Sequence, residues 1–271
     1  MSFPESVALS MKEVRTTRSA GLVPLGTRGY TPDGRIFRYS KCGGTAISDP
    51  NQLLTSKIQA TLALSSSGGN DLLAGTTFTS TWSYINVGIS GYTTVLVADQ
   101  FAEGFLWFGS CCSTYGSADT ARGQMVQIKS HIATTTSSTQ FLQFDLMAED
   151  RLNGSVTSSN ACGIIHHPYD EVVKIAAAAA VAGMPAIGVN LVPVTADYYF
   201  WAQTWGYCPL LLATATTISA GVAVAATTEA ASTGVTCSTD IVIGMRYSPI
   251  GTVTVAEGAG QFGLINLTIS P

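Results

Sequence analysis

The chain has 271 residues, a formal net charge of −4 and a charged fraction of 11%, under half of the roughly 25% typical of soluble domains. Such a length can bury the core of one large β domain or two smaller ones, and so few charges leave a surface either rich in hydroxyls or covered by partners. The acidic balance and the lack of a Lys/Arg run exclude a phosphate-tracking nucleic-acid stripe, and the most apolar stretch, Ile175–Val189, is mostly alanine and broken by Gly183 and Pro185, so it does not read as a membrane-spanning helix.

Residues 1–24 contain Ser, Thr, Pro and alternating charges with few large apolar groups, as expected of an N-terminal arm that orders only on contact. The opening MSFPESVALSMKEVR has Glu5 where a secretory signal carries positive charge and lacks an apolar core segment, so maturation in a cytoplasm is expected. Charge is unevenly placed. Through Lys41 seven cations meet three acids, a net of +4, while the remainder carries six against fourteen, a net of −8. A basic end suits a segment that clasps an acidic protein surface, and equally a solvated tail.

Leu25–Lys41, LGTRGYTPDGRIFRYSK, is a polar turn between two extended arms. Pro32 presets φ, Asp33 can bond the backbone ahead of it and Gly34 accepts positive φ, so a tight hairpin is predicted. Side-chain alternation then puts Ile36, Arg38 and Ser40 on one face and Arg35, Phe37, Tyr39 and Lys41 on the other, presenting aromatic and cationic groups together.

Lys57–Leu64 alternates polar with apolar as a half-buried strand should, Phe78–Val87 and Tyr92–Val97 read as further strands, and Phe105–Phe108 reads as a core strand in preference to an exposed partner patch. In 125–132 the alternation sets Met125, Gln127, Lys129 and His131 against Val126, Ile128, Ser130 and Ile132, and Gln140–Met147 repeats the form. Turn-rich Arg151–Ala161 places a boundary between a β domain over 25–160 and a C-terminal β region over 161–271, although the two can equally be one continuous domain. Residues 168–183 have an early proline, acids in the first turn and an alanine run ended by Gly183, as a helix would, yet sit among strands, so helix and extended chain both remain open. Short strands follow at Ala186–Val194, Asp197–Trp205, Leu210–Ile218, Val222–Ala226, Asp240–Tyr247, Thr252–Val255 and Gln261–Ile269. The predicted fold class is all-β, a sandwich or barrel-like arrangement with an extended N-terminal arm.

Little in the chain reads as catalytic chemistry. There is no G-x-S-x-G elbow, phosphate-cradling Gly-Lys-Ser/Thr loop or EF-hand spacing. The densest ligand-like cluster, His166-His167-Pro168-Tyr169-Asp170-Glu171, has adjacent histidines that a strand would point to opposite faces, so an ordinary loop is expected in place of a metal site. Six cysteines show no C-x-x-C pair and read as reduced, partly buried small apolar residues. Glu149-Asp150 would serve glycoside cleavage only with a distant partner, and a solvated turn is the simpler reading. Trp201 and Trp205 share a strand face with Gln203; tryptophan ladders can stack sugars, while core packing is the ordinary alternative.

The string LGTRGYTPDGRIFRYSKCGG, residues 25–44, resembles a pattern near the N-terminus of tailed-bacteriophage capsid-decoration (cement) proteins, through Leu25-Gly26-Thr27, Asp33-Gly34, Phe37-Arg38-Tyr39 and Gly43-Gly44. Tyr199-Phe200-Trp201-Ala202-Gln203-Thr204-Trp205-Gly206 is similar to the Tyr-x-Trp-x-Gln-x-x-Gly strand in the C-terminal half of such proteins, in the same order, whereas Ala60–Gly163 has no counterpart there. The resemblance implies a non-enzymatic virion protein, without cofactor or metal, that binds the capsid exterior and bridges major capsid subunits. It also implies a homo-oligomer, most simply a trimer, with no nucleic-acid or membrane partner. Arg15, Arg18, Arg28, Arg35, Phe37, Arg38 and Tyr39 are the expected partner contacts, since arginine pairs planar with carboxylates and aromatics anchor. The alternative is a carbohydrate- or host-surface-binding β module using Trp201 or Trp205. A glycan-degrading enzyme ranks third.

Overall fold

The computed structural model describes residues 6–56, 62–63, 83–89, 96–109, 123–133, 140–148, 161–175, 185–212, 219–226, 235–237, 249–258 and 261–270. The chain is all-β and forms two compact units: Met1–Ile58 with Pro168–Pro271, and Gln59–His167 inserted between them. The first unit opens with β1 (Ser6–Ala8), the single-turn helix α1 (Met11–Val14), β2 (Arg28–Tyr30), β3 (Ile36–Lys41) and β4 (Leu53–Ser56). The insertion carries β5 (Leu62–Ala63), β6 (Tyr84–Ile89), β7 (Phe105–Gly109), β8 (Met125–His131), β9 (Gln140–Leu146) and β10 (Ala161–Ile165). The first unit resumes with β11 (Val172–Lys174), β12 (Ala186–Asn190), β13 (Tyr199–Leu211), β14 (Ala223–Ala226), β15 (Val235–Cys237), β16 (Pro249–Val255) and β17 (Phe262–Thr268).

The predicted turn closes the hairpin β2–β3. Gly34 sits at φ 84°, its N–H donates to Thr31 O at 3.0 Å, and Thr31 N donates to Arg35 O at 3.1 Å. β3 pairs antiparallel with β13, Tyr39 opposite Trp201 and Phe37 opposite Gln203. At Trp205 the long strand β13 has Ile36 of β3 on one side and Thr268 of β17 on the other. Its N-terminal half also pairs with β12, which leads through β4 to β11, while its C-terminal half leads through β17 and β16 to β14 and β15. One core cluster joins both branches, Leu53 and Val189 from the first with Cys208, Leu210, Ile265 and Leu267 from the second. The first unit is therefore sandwich-like, with β13 common to both layers.

The expected arm is instead part of this unit. β1 pairs parallel with β2, Leu9 N donates to Tyr30 O at 2.8 Å, and Arg18 exchanges backbone hydrogen bonds with Tyr199 at 2.9 and 2.7 Å. α1 is closed by a capping box in which Ser10 Oγ accepts from Glu13 N and Glu13 Oε2 accepts from Ser10 N. The segment holds few large apolar residues, but Leu9 and Val14 are placed to cover Phe37, Tyr39 and Trp201 in one buried cluster. Gly29 lets this happen, because a Cβ there would stand 2.3 Å from Leu9 and 2.9 Å from Trp201.

Strands from both sides of the expected boundary near 160 share the first unit's sheet, so the division falls elsewhere. Ser56 and Val172 are cross-strand partners, and the chain leaves for the insertion and returns from it on neighbouring strands β4 and β11. β11 also makes Val172–Lys174 extended, the second of the two readings of 168–183; residues 176–184 lie outside the described residues.

The insertion is a sheet in the order β5-β10-β7-β8-β9-β6. Leu106, Phe108, Val126, Ile128, Phe144 and Ile164 are buried; β8 begins with the alternation expected of it, whereas β7, expected to be a core strand, buries Leu106 and Phe108 but leaves Trp107 between them exposed. The register slips between Ile128 and Ser130, and this bulge reverses the predicted faces beyond it. His131 is buried and Ile132 is exposed. His131 Nε2 accepts from Phe101 N at 3.0 Å, which sets its Nδ1–H toward Ile132 O at 2.9 Å.

Candidate functional site

The seven residues expected at a partner surface separate into three pairs and the single Arg35. Arg15 and Arg18 are exposed, on the segment laid over the sheet. Phe37 and Tyr39 are buried beneath that segment, so neither is an accessible contact; their face of β3 is the one Leu9, Val14 and Val23 cover. Burial pushes the Tyr39 phenol up, while its oxygen accepts from Leu22 N at 3.1 Å. Arg28 and Arg38 stand directly opposite one another across the hairpin, both half-buried, with Arg38 donating to Gly26 O at 3.2 Å and Ser270 Oγ at 3.1 Å. Arg35 belongs elsewhere, at the turn.

The two tryptophans of the alternative reading also part company. Trp201 is 7% exposed and packs its ring 4.9 Å from that of Tyr39, so it is a core residue. Trp205 is 36% exposed and Tyr207, two residues on, is 58% exposed. Together with Asp33, Arg35 and Asn266 they line an open groove of about 470 Å³.

The local backbone explains why aromatic side chains stand here. β3 begins at Ile36, opposite Trp205, so beyond that point β13 is flanked on this side by the hairpin turn and not by a strand. Gly206 adopts φ 86°, and a Cβ there would lie 3.1 Å from Arg35 Cγ, so the bare backbone admits the arginine. The buried side chain of Gln203 fixes the bend: its Nε2 reaches the carbonyl oxygens of Trp205, Gly206 and Tyr207 at 3.1, 3.4 and 3.0 Å. On the far side Tyr207 is the register partner of Asn266 on β17.

The groove's charge is balanced within the turn. Arg35 Nε donates to Asp33 Oδ2 at 2.8 Å, and its Nη2 lies 2.7 Å from the same oxygen and 2.8 Å from Met11 Sδ. Arg35 first and Thr31 second hold the Asp33 carboxyl down at about 2, so it is ionised at any ordinary pH. The arrangement offers two aromatic faces, a fixed carboxylate acceptor, guanidinium donors and an amide. Asp33 and Gly34 were legible as a turn, but nothing in the sequence placed Tyr207 or Asn266 beside them: the first follows the bend, and the second, notable only as the head of an Asn-x-Thr string, arrives from a distant strand.

Elsewhere, in the cluster 166–171 just beyond β10, the His166 ring packs tilted against Phe101 with centroids 4.4 Å apart and His167 stacks on Phe105 at 5.9 Å. Cys42 and Cys208 are buried free thiols, pushed up by burial to about 11 and about 12. Glu149 and Asp150 lie outside the described residues. No family model, curated protein or solved structure matches the chain.

Proposed function

We propose that the protein is a non-enzymatic structural component of a virion, decorating the outside of a phage capsid and stabilising it by bridging major capsid subunits. The observation that carries this reading is the pairing of β3 with β13. The two stretches that resemble decoration proteins, 25–44 and 199–206, are far apart in sequence yet adjacent in register, with Tyr39 opposite Trp201. The span without counterpart, Ala60–Gly163, falls within the inserted unit. A resemblance that falls on two paired strands of one unit, with the span lacking a counterpart lying in an insertion, fits a framework shared with those proteins.

The partner surface under this reading is the exposed part of the N-terminal segment and hairpin: Arg15 and Arg18 with the exposed Leu22 and Tyr30. Exposed cations and exposed apolar groups on one segment suit an acidic subunit joint. A protein that binds only the assembled shell stabilises it by mass action, and bridging adds buried area where subunits separate.

The test incubates the purified protein with assembled particles lacking it, then measures sedimented copies per particle and the temperature of particle rupture. Saturable binding at a fixed ratio with later rupture supports decoration; folded protein left in the supernatant refutes it. Sedimentation equilibrium tests the trimer. The Arg15→Glu/Arg18→Glu pair should weaken shell binding about tenfold or more without changing the melting midpoint, since both side chains are exposed. Deleting 1–24 is the poorer probe, because it also strips Leu9 and Val14 from a core.

A further inference from the structure

The groove at Trp205 and Tyr207 is built independently of any shell contact. We propose that it binds a neutral sugar residue of a glycan, the ring stacking on Trp205 and Tyr207 while its hydroxyls bond Asp33, Arg35 and Asn266. At about 470 Å³ it falls within the range of roughly 300–1,000 Å³ typical of small-molecule sites.

Three features select this ligand. The first is the aromatic pair: two large rings held 36% and 58% exposed, two residues apart, on a strand whose bend Gln203 locks from beneath. Large aromatics are ordinarily buried for their apolar area, and the apolar C–H face of a pyranose can restore that burial without excluding water from its hydroxyl edge.

The second is the mixture of polar groups beside the rings. Asp33 is an ionised acceptor with half its side chain exposed, Arg35 offers only donors, and the Asn266 amide offers both. Sugar hydroxyls donate and accept at once, so they match all three, whereas an aliphatic ligand would strand them.

The third is charge. An ammonium ligand suited to an aromatic cage meets Arg35, and an anionic sugar meets Asp33. Because the two are paired to each other at 2.7 Å, the groove is neutral overall and so is its preferred ligand.

The test uses the full chain and calorimetric titration with cello-, malto-, manno- and chito-hexaose and lacto-N-tetraose, with 3′-sialyllactose as the charged comparison. At least one neutral oligosaccharide should saturate. Trp205→Ala should raise its Kd about tenfold or more, the loss expected of an aromatic anchor, and Asn266→Ala should weaken it with the melting midpoint unchanged. Trp107→Ala, an exposed tryptophan in the insertion, should leave Kd as it was. Tyr207→Ala serves as the second aromatic variant if Trp205→Ala fails to fold. Failure of all five neutral sugars to bind overturns the proposal. So does binding that survives both aromatic substitutions, preference for the sialylated sugar, or a self-association that Trp205→Ala abolishes, which would make the groove a contact between copies. Shell binding is measured separately, so either reading can fail alone.

Discussion

Tyr39 and Trp201 are cross-strand partners whose rings lie 4.9 Å apart, and they join the two halves of the first unit across the inserted one. Both are buried, along with Phe37, under Leu9 and Val14. Trp201→Ala or Phe37→Ala should therefore cost about 3–5 kcal/mol, as truncation of a buried aromatic does, and lower the denaturant midpoint in urea. Either variant retaining wild-type stability would show that this face is not a core.

Gln203 acts on the groove without lining it. Its two amide N–H groups are shared among three successive carbonyls, so Gln203→Leu should destabilise by about 1–3 kcal/mol through acceptors left unpaired. Gly206→Ala should cost a similar amount, roughly 1–3 kcal/mol, from the left-handed backbone, compounded by the approach of Arg35. Chemical denaturation of both variants checks this, and a neutral Gly206→Ala would argue against the bend.

Acid should reach the hairpin turn late. The Asp33 carboxyl is lowered from 3.8 to about 2, so its stabilising effect is complete above the unfolded value near 4 and is lost as pH falls toward 2. The carboxylate is half exposed, so the effect is at most about 1 kcal/mol. The stability gap between wild type and Asp33→Asn should hold constant above about pH 5 and shrink as pH falls from about 4 through about 2; a gap undiminished at about pH 2 would contradict the Asp33–Arg35 pairing.

Cys42 and Cys208 should resist thiol reagents in the folded protein. Both are fully buried and their thiols are raised to about 11 and about 12, so almost no thiolate exists at neutral pH. Mass spectrometry after alkylation should find both unmodified until denaturant is added, and rapid native labelling of either would show that its core opens.

The insertion should be removable. Ser56 and Val172 are register partners, so a short polar connection in place of Gln59–His167 can join β4 to β11. The shortened chain should melt cooperatively with near-unchanged far-ultraviolet strand signal per residue. An unfolded product would mean that the first unit depends on the second.

Local sequence determined the strands and the hairpin. Alternation marks β3 and the first part of β8, the apolar run Phe105–Phe108 marks β7, and Pro32-Asp33-Gly34 dictates its turn from three residues, because pleat and turn geometry are set by neighbours in the chain. The same locality misled wherever distant residues intervene. Alternation placed Phe37 and Tyr39 on an outer face, but Leu9 and Val14 arrive from the expected arm to cover it. A one-residue slip against β9 turned His131 inward.

The groove lay beyond local reading for the same reason. Trp201 and Trp205 look equivalent by spacing; only the end of β3 at Ile36, the bend at Gly206 and the arrival of Asn266 on β17 leave one buried and the other exposed. Sequence determines which residues can alternate, turn and cap. Burial is settled by what packs against them from elsewhere in the chain, and here that decision belongs to the pairing of β13 with its distant neighbours.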